Sequence, residues 1–371
     1  MKIKLLTAAF LGFLFTTCTQ EPLFWYISQE YPPIEPLIGG APTQIVDIGN
    51  RVYVANRNSL WEYEHGGKNQ WDPIGNPSEY IKAIAATATH LYVLDDDGYI
   101  YKRTGGAWDP PVHIPGAQQI FGAKDTLFAG NGSAVYEYPS TTPITGTDTP
   151  GGLLRGAAKV ENDYYICTTQ VDGDENTGIF MWNGSSSTKV YPLSGNASVK
   201  GIIAAGTKTV IAVNSERQIV YKNSEKTDFV SSDAKNVSFT GGMAKWTWND
   251  PVTSTVHVKI LLGLQSGSGT FRYGYRELDL DSGNVNSSEI FVPGDTNNNT
   301  RSTSIDPGSR ETSAIGKHPV TALYVVPSSS FHSRDDKGRP IIFASTLRNG
   351  VWSYRVRRER PQWNGEDNTT R

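Results

Sequence analysis

Oxygen-bearing side chains alternate in one short segment of the chain, at Asp172, Asp174 and Asn176. Calcium loops place ligands at alternating positions of this kind, because the ion takes about six to eight oxygen atoms. The sixth position of such a loop is Thr177 rather than glycine, and the twelfth is Asn183 rather than a bidentate glutamate. The three residues are therefore a candidate calcium site, although the pattern favours a solvated loop between two strands.

Motifs for nucleophilic, zinc or phosphate chemistry are absent from the sequence. It contains no nucleophile elbow, P-loop or dinucleotide fingerprint. The histidines show no His-x-His or His-Glu-x-x-His spacing, and they are His65, His90, His113, His257, His318 and His332. No catalytic residue and no cofactor besides the candidate calcium is assigned. Paired carboxylates for glycoside hydrolysis can come from distant strands and leave no local pattern. A carbohydrate-active enzyme therefore stays open, while the sequence leans against an enzyme.

The N-terminus has the pattern of an export signal. Lys2 and Lys4 precede an uncharged apolar run from Leu5 to Phe15, which is shorter than the roughly 20 residues that span a bilayer. Cys18 lies three residues after Phe15, and polar residues come after it. We predict that residues 1–17 are a signal peptide and that Cys18 carries lipid. An ordinary secretory signal is the alternative.

Residues 15–18, Phe-Thr-Thr-Cys, resemble a bacterial lipobox. The usual box has Leu first and Gly, Ala or Ser before the cysteine, and the relaxed form at Phe15 and Thr17 is similar to that of spirochaete lipoproteins. The resemblance implies palmitate-type acyl chains on Cys18, a membrane as one partner, and a location in the cell envelope, on the periplasmic face or the outer surface. Residues 18–43 would then be the lipid tether and N-terminal segment.

Charge and cysteine content exclude two classes of protein. The formal net charge of −3 becomes −5 once Lys2 and Lys4 are removed. The chain has no basic stripe of the kind that binds nucleic acid, so no nucleic-acid partner is predicted. The two cysteines are Cys18 and Cys167. With Cys18 acylated, no disulfide is left to hold the exported domain, and Cys167 is predicted to be a small buried residue.

One phrase recurs along the chain: an apolar strand, a short polar turn, and a second strand with aromatic residues at alternate positions. Side chains two residues apart on a strand point to the same face of the sheet. The seven copies span residues 51–71, 90–108, 126–140, 164–184, 209–224, 259–279 and 340–363. Apolar strands rich in small residues precede several copies, at 44–49, 81–87, 199–206 and 320–327. Alanine and glycine there would let strands approach a crowded axis.

A unit of about 40–50 residues with four short strands is typical of a β-propeller blade. We predict an all-β chain whose residues 44–364 form a β-propeller of seven blades, each with four antiparallel strands. Six or eight blades, or a β-sandwich, are the alternatives. Residues 293–318 are rich in Asn, Ser and Thr, so we predict a long polar excursion there, and we expect residues 365–371 to be a frayed tail.

Two charged segments are interpreted as structural. Asp95 to Gly98 has the composition of a hairpin turn, and it loosely resembles the Asp-box turn of sialidase-like propellers. The basic run from Arg355 to Arg360 favours a charged edge strand that blocks unwanted pairing. A docking patch for an acidic partner or lipid headgroups is the alternative for that run.

These features predict a lipid-anchored binding or scaffold module for a protein or glycan partner, because rigid propellers carry variable loops that bind. An outer-membrane assembly factor is one alternative, by fold analogy alone. A carbohydrate-active enzyme at the propeller channel is the other. An enzyme predicts carboxylates from three or more blades at one channel mouth, whereas a binding module predicts a broad aromatic or charged rim.

Overall fold

A computed structural model describes most of the chain after residue 36. The described residues are 37–65, 70–169, 176–193, 197–223, 226, 228–233, 237–249, 256–266, 274–280, 286–291, 315, 318–327, 341–348, 350–357 and 360–365. Cys18, Asp172, Asp174, the tail after residue 365 and nearly all of the excursion 293–318 lie outside them. Within that excursion the described residues are Ile315, which is fully buried, and His318.

The described residues form seven antiparallel sheets, each built from consecutive strands. Blades 1 to 3 contain β1 Ile45–Ile48, β2 Arg51–Asn56, β3 Ser59–Glu64, β4 Trp71–Ile74; β5 Ile81–Ala86, β6 Leu91–Asp95, β7 Tyr99–Thr104, β8 Ala107–Trp108, β9 Val112–His113; β10 Gln119–Ala123, β11 Thr126–Gly130 and β12 Val135–Glu137. Blades 4 and 5 contain β13 Leu153–Val160, β14 Asp163–Thr169, β15 Gly178–Trp182, β16 Ser187–Pro192; β17 Val199–Ala204, β18 Val210–Asn214, β19 Gln218–Lys222 and β20 Val230–Asp233. Blades 6 and 7 contain β21 Ser238–Asn249, β22 Val256–Ser266, β23 Tyr275–Asp279, β24 Asn286–Phe291; β25 Val320–Val325, β26 Ile342–Thr346, β27 Gly350–Arg357 and β28 Arg360–Gly365.

The predicted seven-bladed β-propeller is confirmed. The first strands of successive blades contact one another in chain order from β1 to β25, and β25 contacts β1, which closes the ring. Each copy of the repeated phrase supplies the second and third strands of one blade. Blade 3 has three strands, and an isolated bridge from Tyr136 to Pro143 takes the place of the fourth. Proline lacks the N–H that a longer ladder at this edge would use.

Residues 37–43 seal the seam between the last blade and the first. The carbonyls of Ile38 and Gly40 accept hydrogen bonds from the backbone N–H groups of Val351 and Gly350, both at 3.0 Å. The Pro42 carbonyl accepts from the hydroxyls of Thr321 and Ser345. The Ile38 side chain is fully buried in a cluster shared by blades 1 and 7. The described end of the predicted tether therefore belongs to the folded domain.

Aromatic side chains of the repeat fill the spaces between neighbouring blades. At the seam, the Phe343 ring of blade 7 lies 5.0 Å from Tyr63 and 5.3 Å from Trp71 of blade 1, measured between ring centroids. Rings at these separations pack edge to face, which adds to the apolar area they bury. Cys167 is completely buried, as predicted. Burial raises the pKa of its thiol, which keeps the group protonated.

Side-chain oxygens fix the turns between the second and third strands. The Asp95 carboxylate accepts from the backbone N–H groups of Asp97 and Tyr99, at 3.0 and 2.8 Å. Asn131 and Asn214 hold the corresponding turns of blades 3 and 5 in the same way. Short polar side chains stabilise turns by such bonds to backbone two or more residues ahead. The polar turn of the repeat therefore gives these loops a defined shape.

Candidate functional site at the mouth of the central channel

The seven first strands surround a channel that opens at both ends of the ring. Because strands alternate in direction within a blade, the end at which the first strands begin also carries the second-to-third turns and the connections between blades. This end is termed the front face. A cavity of about 600 Å³ lies there, lined by residues from all seven first strands. A second cavity, of about 1050 Å³, lies towards the back, where those strands end. The front cavity is within the size range of ligand pockets.

Polar side chains reach the front cavity at β-bulges. In blades 2, 4, 5 and 7 the pairing of the first strand with the second skips one residue close to the strand's start. The skipped residues are Lys82, Arg155, Lys200 and Thr321, and all four line the cavity. Bulges redirect a side chain and are common beside functional sites. The small residues that follow them, such as Gly156 and Gly201, leave space for the neighbouring strand.

The three cations among these bulged residues lie on one side of the mouth and are termed the basic arc: Lys82, Arg155 and Lys200. They belong to blades 2, 4 and 5, and Gln119 of blade 3 lines the same cavity between them. The remaining blades contribute the neutral side chains of Gln44, Thr240 and Thr321, and blade 1 also contributes the Asp47 carboxylate. The mouth is therefore polarised, with its positive charge on blades 2, 4 and 5.

No carboxylate of the described residues forms a salt bridge with the basic arc. Lys82 donates to the Ala117 carbonyl at 3.3 Å, and the buried Nε of Arg155 has no hydrogen-bond partner among the described atoms. Burial lowers the pKa of Arg155, and burial together with the nearby Arg155 charge lowers the pKa of Lys200. Burial therefore disfavours the charged form of both side chains, and no salt bridge among the described residues offsets this effect.

Two of the lysines at the back end form local pairs with carboxylates. Lys159 donates to Asp125 at 2.8 Å and to the Tyr164 hydroxyl at 2.9 Å. The hydrogen bond from Lys159 holds the pKa of the Asp125 carboxyl below its usual value. Lys208 lies 3.9 Å from Glu161. Lys124 and Lys245 also line the back cavity and form no salt bridge among the described residues, but both are exposed to solvent. The two ends of the channel therefore differ in burial, because Arg155 and Lys200 at the front are partly buried.

The front face carries exposed apolar and aromatic side chains on blades 2 and 7. Tyr80, Tyr99 and Leu347 are exposed large hydrophobic residues, and each lies in or beside a front-face loop. The Arg57 guanidinium lies 5.2 Å from the Tyr80 ring centroid. The Tyr99 ring stacks on His113 at 4.6 Å. Aromatic residues and arginine are enriched at protein interfaces, so this rim has the composition of a binding surface.

The structure bears on few of the site residues predicted from sequence. Asn176 is exposed, and its backbone carbonyl accepts from the Gly151 N–H at 2.8 Å. Its candidate partners for calcium, Asp172 and Asp174, lie outside the described residues. Among those residues, no group of three or more His, Cys, Asp or Glu side chains is arranged to hold a metal ion. Asp95 to Gly98 forms the predicted hairpin turn between β6 and β7.

The basic run from Arg355 to Arg360 joins β27 to β28. The backbone of these strands pairs, with Val356 opposite Pro361 and Arg357 opposite Arg360. The arginine side chains themselves lie outside the description. Carboxylates that line the channel, among described residues, are Asp47 of blade 1 and Glu161 of blade 4.

The sequence reasoning missed the basic arc, although a signal for it exists. The first strands of blades 2, 4, 5 and 7 share a polar residue between an apolar residue and a small one, in the phrases around Lys82, Arg155, Lys200 and Thr321. In a strand with strict alternation this residue would sit on one fixed face. The bulge moves this residue off that face, and the bulge can be recognised only from the register in which the two strands pair.

Comparison with known proteins supports the fold and adds one relative of similar length. No protein-family model matches the chain. It is 24% identical over 378 residues to an uncharacterized lipoprotein of Treponema pallidum (strain Nichols), and the match covers 91% of this chain and 90% of that protein. Within the part of the chain that the structure describes, no helix has the length and apolar character to cross a membrane.

Solved structures that resemble the chain are propellers and their complexes. YCF48 bound to D1 peptide has a TM-score of 0.53 at 10% identity, covering 88% of this chain and 95% of that one. The WD40 β-propeller domain of Doa1 has a TM-score of 0.53 at 10% identity, covering 88% and 96%. A chain of the mitotic checkpoint complex has a TM-score of 0.57 at 13% identity, covering 87% and 94%. At such low sequence identity, the structural similarity shows the fold alone. The chain is a seven-bladed β-propeller.

Proposed function

We propose that this protein is a lipid-anchored propeller of the cell envelope that binds a protein partner at its front face. The observation that carries the proposal is the basic arc, in which Lys82, Arg155 and Lys200 are held on bulges around one channel mouth without a carboxylate partner among the described residues. A charge that is buried without a counter-charge costs free energy, which applies to the partly buried Arg155 and Lys200, and a partner that supplies the counter-charge offsets this cost.

The rim supports the same conclusion. Tyr80, Tyr99 and Leu347 are exposed on the front face, and aromatic anchors beside charged groups are the usual composition of interaction hot spots. The turn that leads into Tyr99 is fixed by hydrogen bonds to the Asp95 carboxylate. A partner therefore meets a preformed surface, which lowers the entropic cost of binding.

The anchor is supported by the position of Cys18 after the apolar run and by the spirochaete relative, a lipoprotein that matches over most of both chains. Intact-mass spectrometry of the detergent-extracted protein tests it. We expect a mature chain that begins at Cys18 and carries a diacylglycerol-sized adduct, and we expect a Cys18→Ser variant to lack the adduct. A soluble, unmodified chain cleaved elsewhere would remove the anchor from the proposal.

Position-specific photo-crosslinking in the native host tests the binding face. A photoreactive phenylalanine analogue replaces Tyr80, Tyr99 or Leu347 at the front, and Val256 or Lys208 at the back, where both residues are exposed. We expect covalent partner adducts from the front positions only. Equal adducts from both faces, or adducts confined to the back, would contradict the proposed function.

A further inference from the structure

The front cavity presents two kinds of unmet hydrogen-bonding capacity. The guanidinium Nε of Arg155 is a buried donor without a partner, and the side-chain Oε1 of Gln119 is a buried acceptor without one, among the described atoms. Both residues line the same cavity, on the neighbouring blades 3 and 4. Buried polar groups are nearly always paired, so two such groups in one cavity call for a ligand that completes both.

We propose that an acidic peptide segment enters the channel mouth and places a carboxylate between Arg155 and Lys200, while a backbone N–H of the segment donates to Gln119. This inference rests on the proposed function and names the chemistry of its partner. An arginine side chain has five N–H donors in a planar fork, which suits a carboxylate. Lys82 lines the same mouth two blades away from Arg155 and adds charge for a second acidic residue.

The charge of the cavity supports an anion. The basic arc contributes three cations, and Asp47 is the one carboxylate among the described residues that line this cavity. Arg155 and Lys200 repel each other strongly enough that Arg155 contributes to the lowered pKa of Lys200. A carboxylate placed between them removes that repulsion and supplies the missing counter-charge.

Two features favour a peptide over the phosphates of a lipid surface. Arg155 and Lys200 are partly buried within the channel mouth, whereas the front-face loops around them reach solvent. A flat headgroup layer meets the loops first, while an extended chain is narrow enough to enter. A phosphodiester also lacks an N–H group, so it leaves Gln119 Oε1 unpaired, whereas a peptide backbone supplies a donor at every residue except proline.

The test is fluorescence anisotropy with the detergent-solubilised full chain and a fluorescein-labelled hexaglutamate peptide. The front variant is Arg155→Gln with Lys200→Gln. The matched control is Lys208→Gln with Lys245→Gln, which removes the same charge from two exposed residues at the back. Unlabelled hexaglutamine, inorganic phosphate and vesicles of phosphatidylcholine with phosphatidylglycerol are the competitors.

We expect hexaglutamate to bind the wild type, and the dissociation constant to rise with salt because charge drives the encounter. The front variant should bind about tenfold or more weakly, and the back variant within about threefold of wild type. A Gln119→Leu change should weaken the binding of hexaglutamate about fivefold, which is the effect of one hydrogen bond. It should leave the weak competition by phosphate unchanged.

Three results would overturn the inference: unchanged binding in the front variant, equal binding of hexaglutamine, or displacement by phosphate or the anionic vesicles as effective as by unlabelled hexaglutamate. If these occur while photo-crosslinks still form at the front face, the acidic-peptide inference fails and the proposed function stands. If the crosslinks are absent as well, both fail.

Discussion

Replacing Arg155 by methionine should make the protein more stable while it weakens binding. The change removes a charged head whose buried Nε has no partner among the described atoms and keeps an unbranched stem of similar reach. Leaving a buried donor unpaired costs about 1–3 kcal/mol. Arg155 is only partly buried, so the lower end of that range applies. We expect Arg155→Met to raise the free energy of unfolding by about 1 kcal/mol.

Equilibrium urea unfolding followed by tryptophan fluorescence measures this gain. The matched control is Lys245→Met, which removes a cation from an exposed position at the back of the channel. Such a surface change should alter the free energy of unfolding by less than about 0.5 kcal/mol. If Arg155→Met instead destabilises the protein by 1 kcal/mol or more, the guanidinium makes favourable contacts in the unliganded protein. The reasoning that assigns it to a missing partner would then be refuted.

Three further changes test the fold that positions the mouth. Ile38→Ala should destabilise the protein by about 3 kcal/mol in urea unfolding, because it opens a cavity in the fully buried seam. Asp95→Ala should lower the free energy of unfolding by about 2–3 kcal/mol, since the carboxylate accepts hydrogen bonds from two backbone N–H groups and the Tyr101 hydroxyl. Burial lowers the pKa of His65 below 6.5, so its unfolded form binds the proton more readily. Stability should therefore fall as pH decreases below about 6.5, and the melting temperature of His65→Gln should fall less.

Each of these changes has a matched comparison. Leu37→Ala removes an exposed neighbour of Ile38 and should have little effect, and an equal loss from both would argue against the sealed seam. Asp95→Asn keeps the side-chain oxygen that accepts from the turn and should be milder than the alanine change. For His65, the melting temperatures of wild type and variant are compared between about pH 7.5 and 5.5. If both fall equally with pH, the burial of His65 does not contribute to the pH dependence of stability.

The blades were predictable because each repeats a local pattern. The hairpin of strands two and three, as in Arg51–Glu64, places buried apolar residues on both sides of a polar turn, and the aromatic residues recur on one face. Seven copies therefore gave the blade number. First strands with obvious runs of small residues, such as Ile81–Ala86, were also predictable. The first strand of blade 6, Ser238–Asn249, carries polar residues, and its pairing with the second strand shifts register at two places. Its sequence pattern is therefore hidden.

The candidate site was not predictable, because it depends on contacts between distant parts of the chain. Lys82 and Lys200 are separated by three blades in sequence and meet at one mouth only after the ring closes. Whether a lysine on a first strand faces the channel depends on a bulge, which one skipped residue in the pairing creates. Whether it has a counter-ion depends on carboxylates from other blades. None of these is a local property of sequence.

The central claim is that the front mouth, through its basic arc, binds an acidic chain. Hydrogen–deuterium exchange of the detergent-solubilised protein with and without hexaglutamate tests it most directly. We predict slower exchange at the starts of β5, β13 and β17, which carry Lys82, Arg155 and Lys200, and unchanged exchange at the back turns that carry Asp125 and Glu161. Protection at the back turns, or none at the front, would contradict the account.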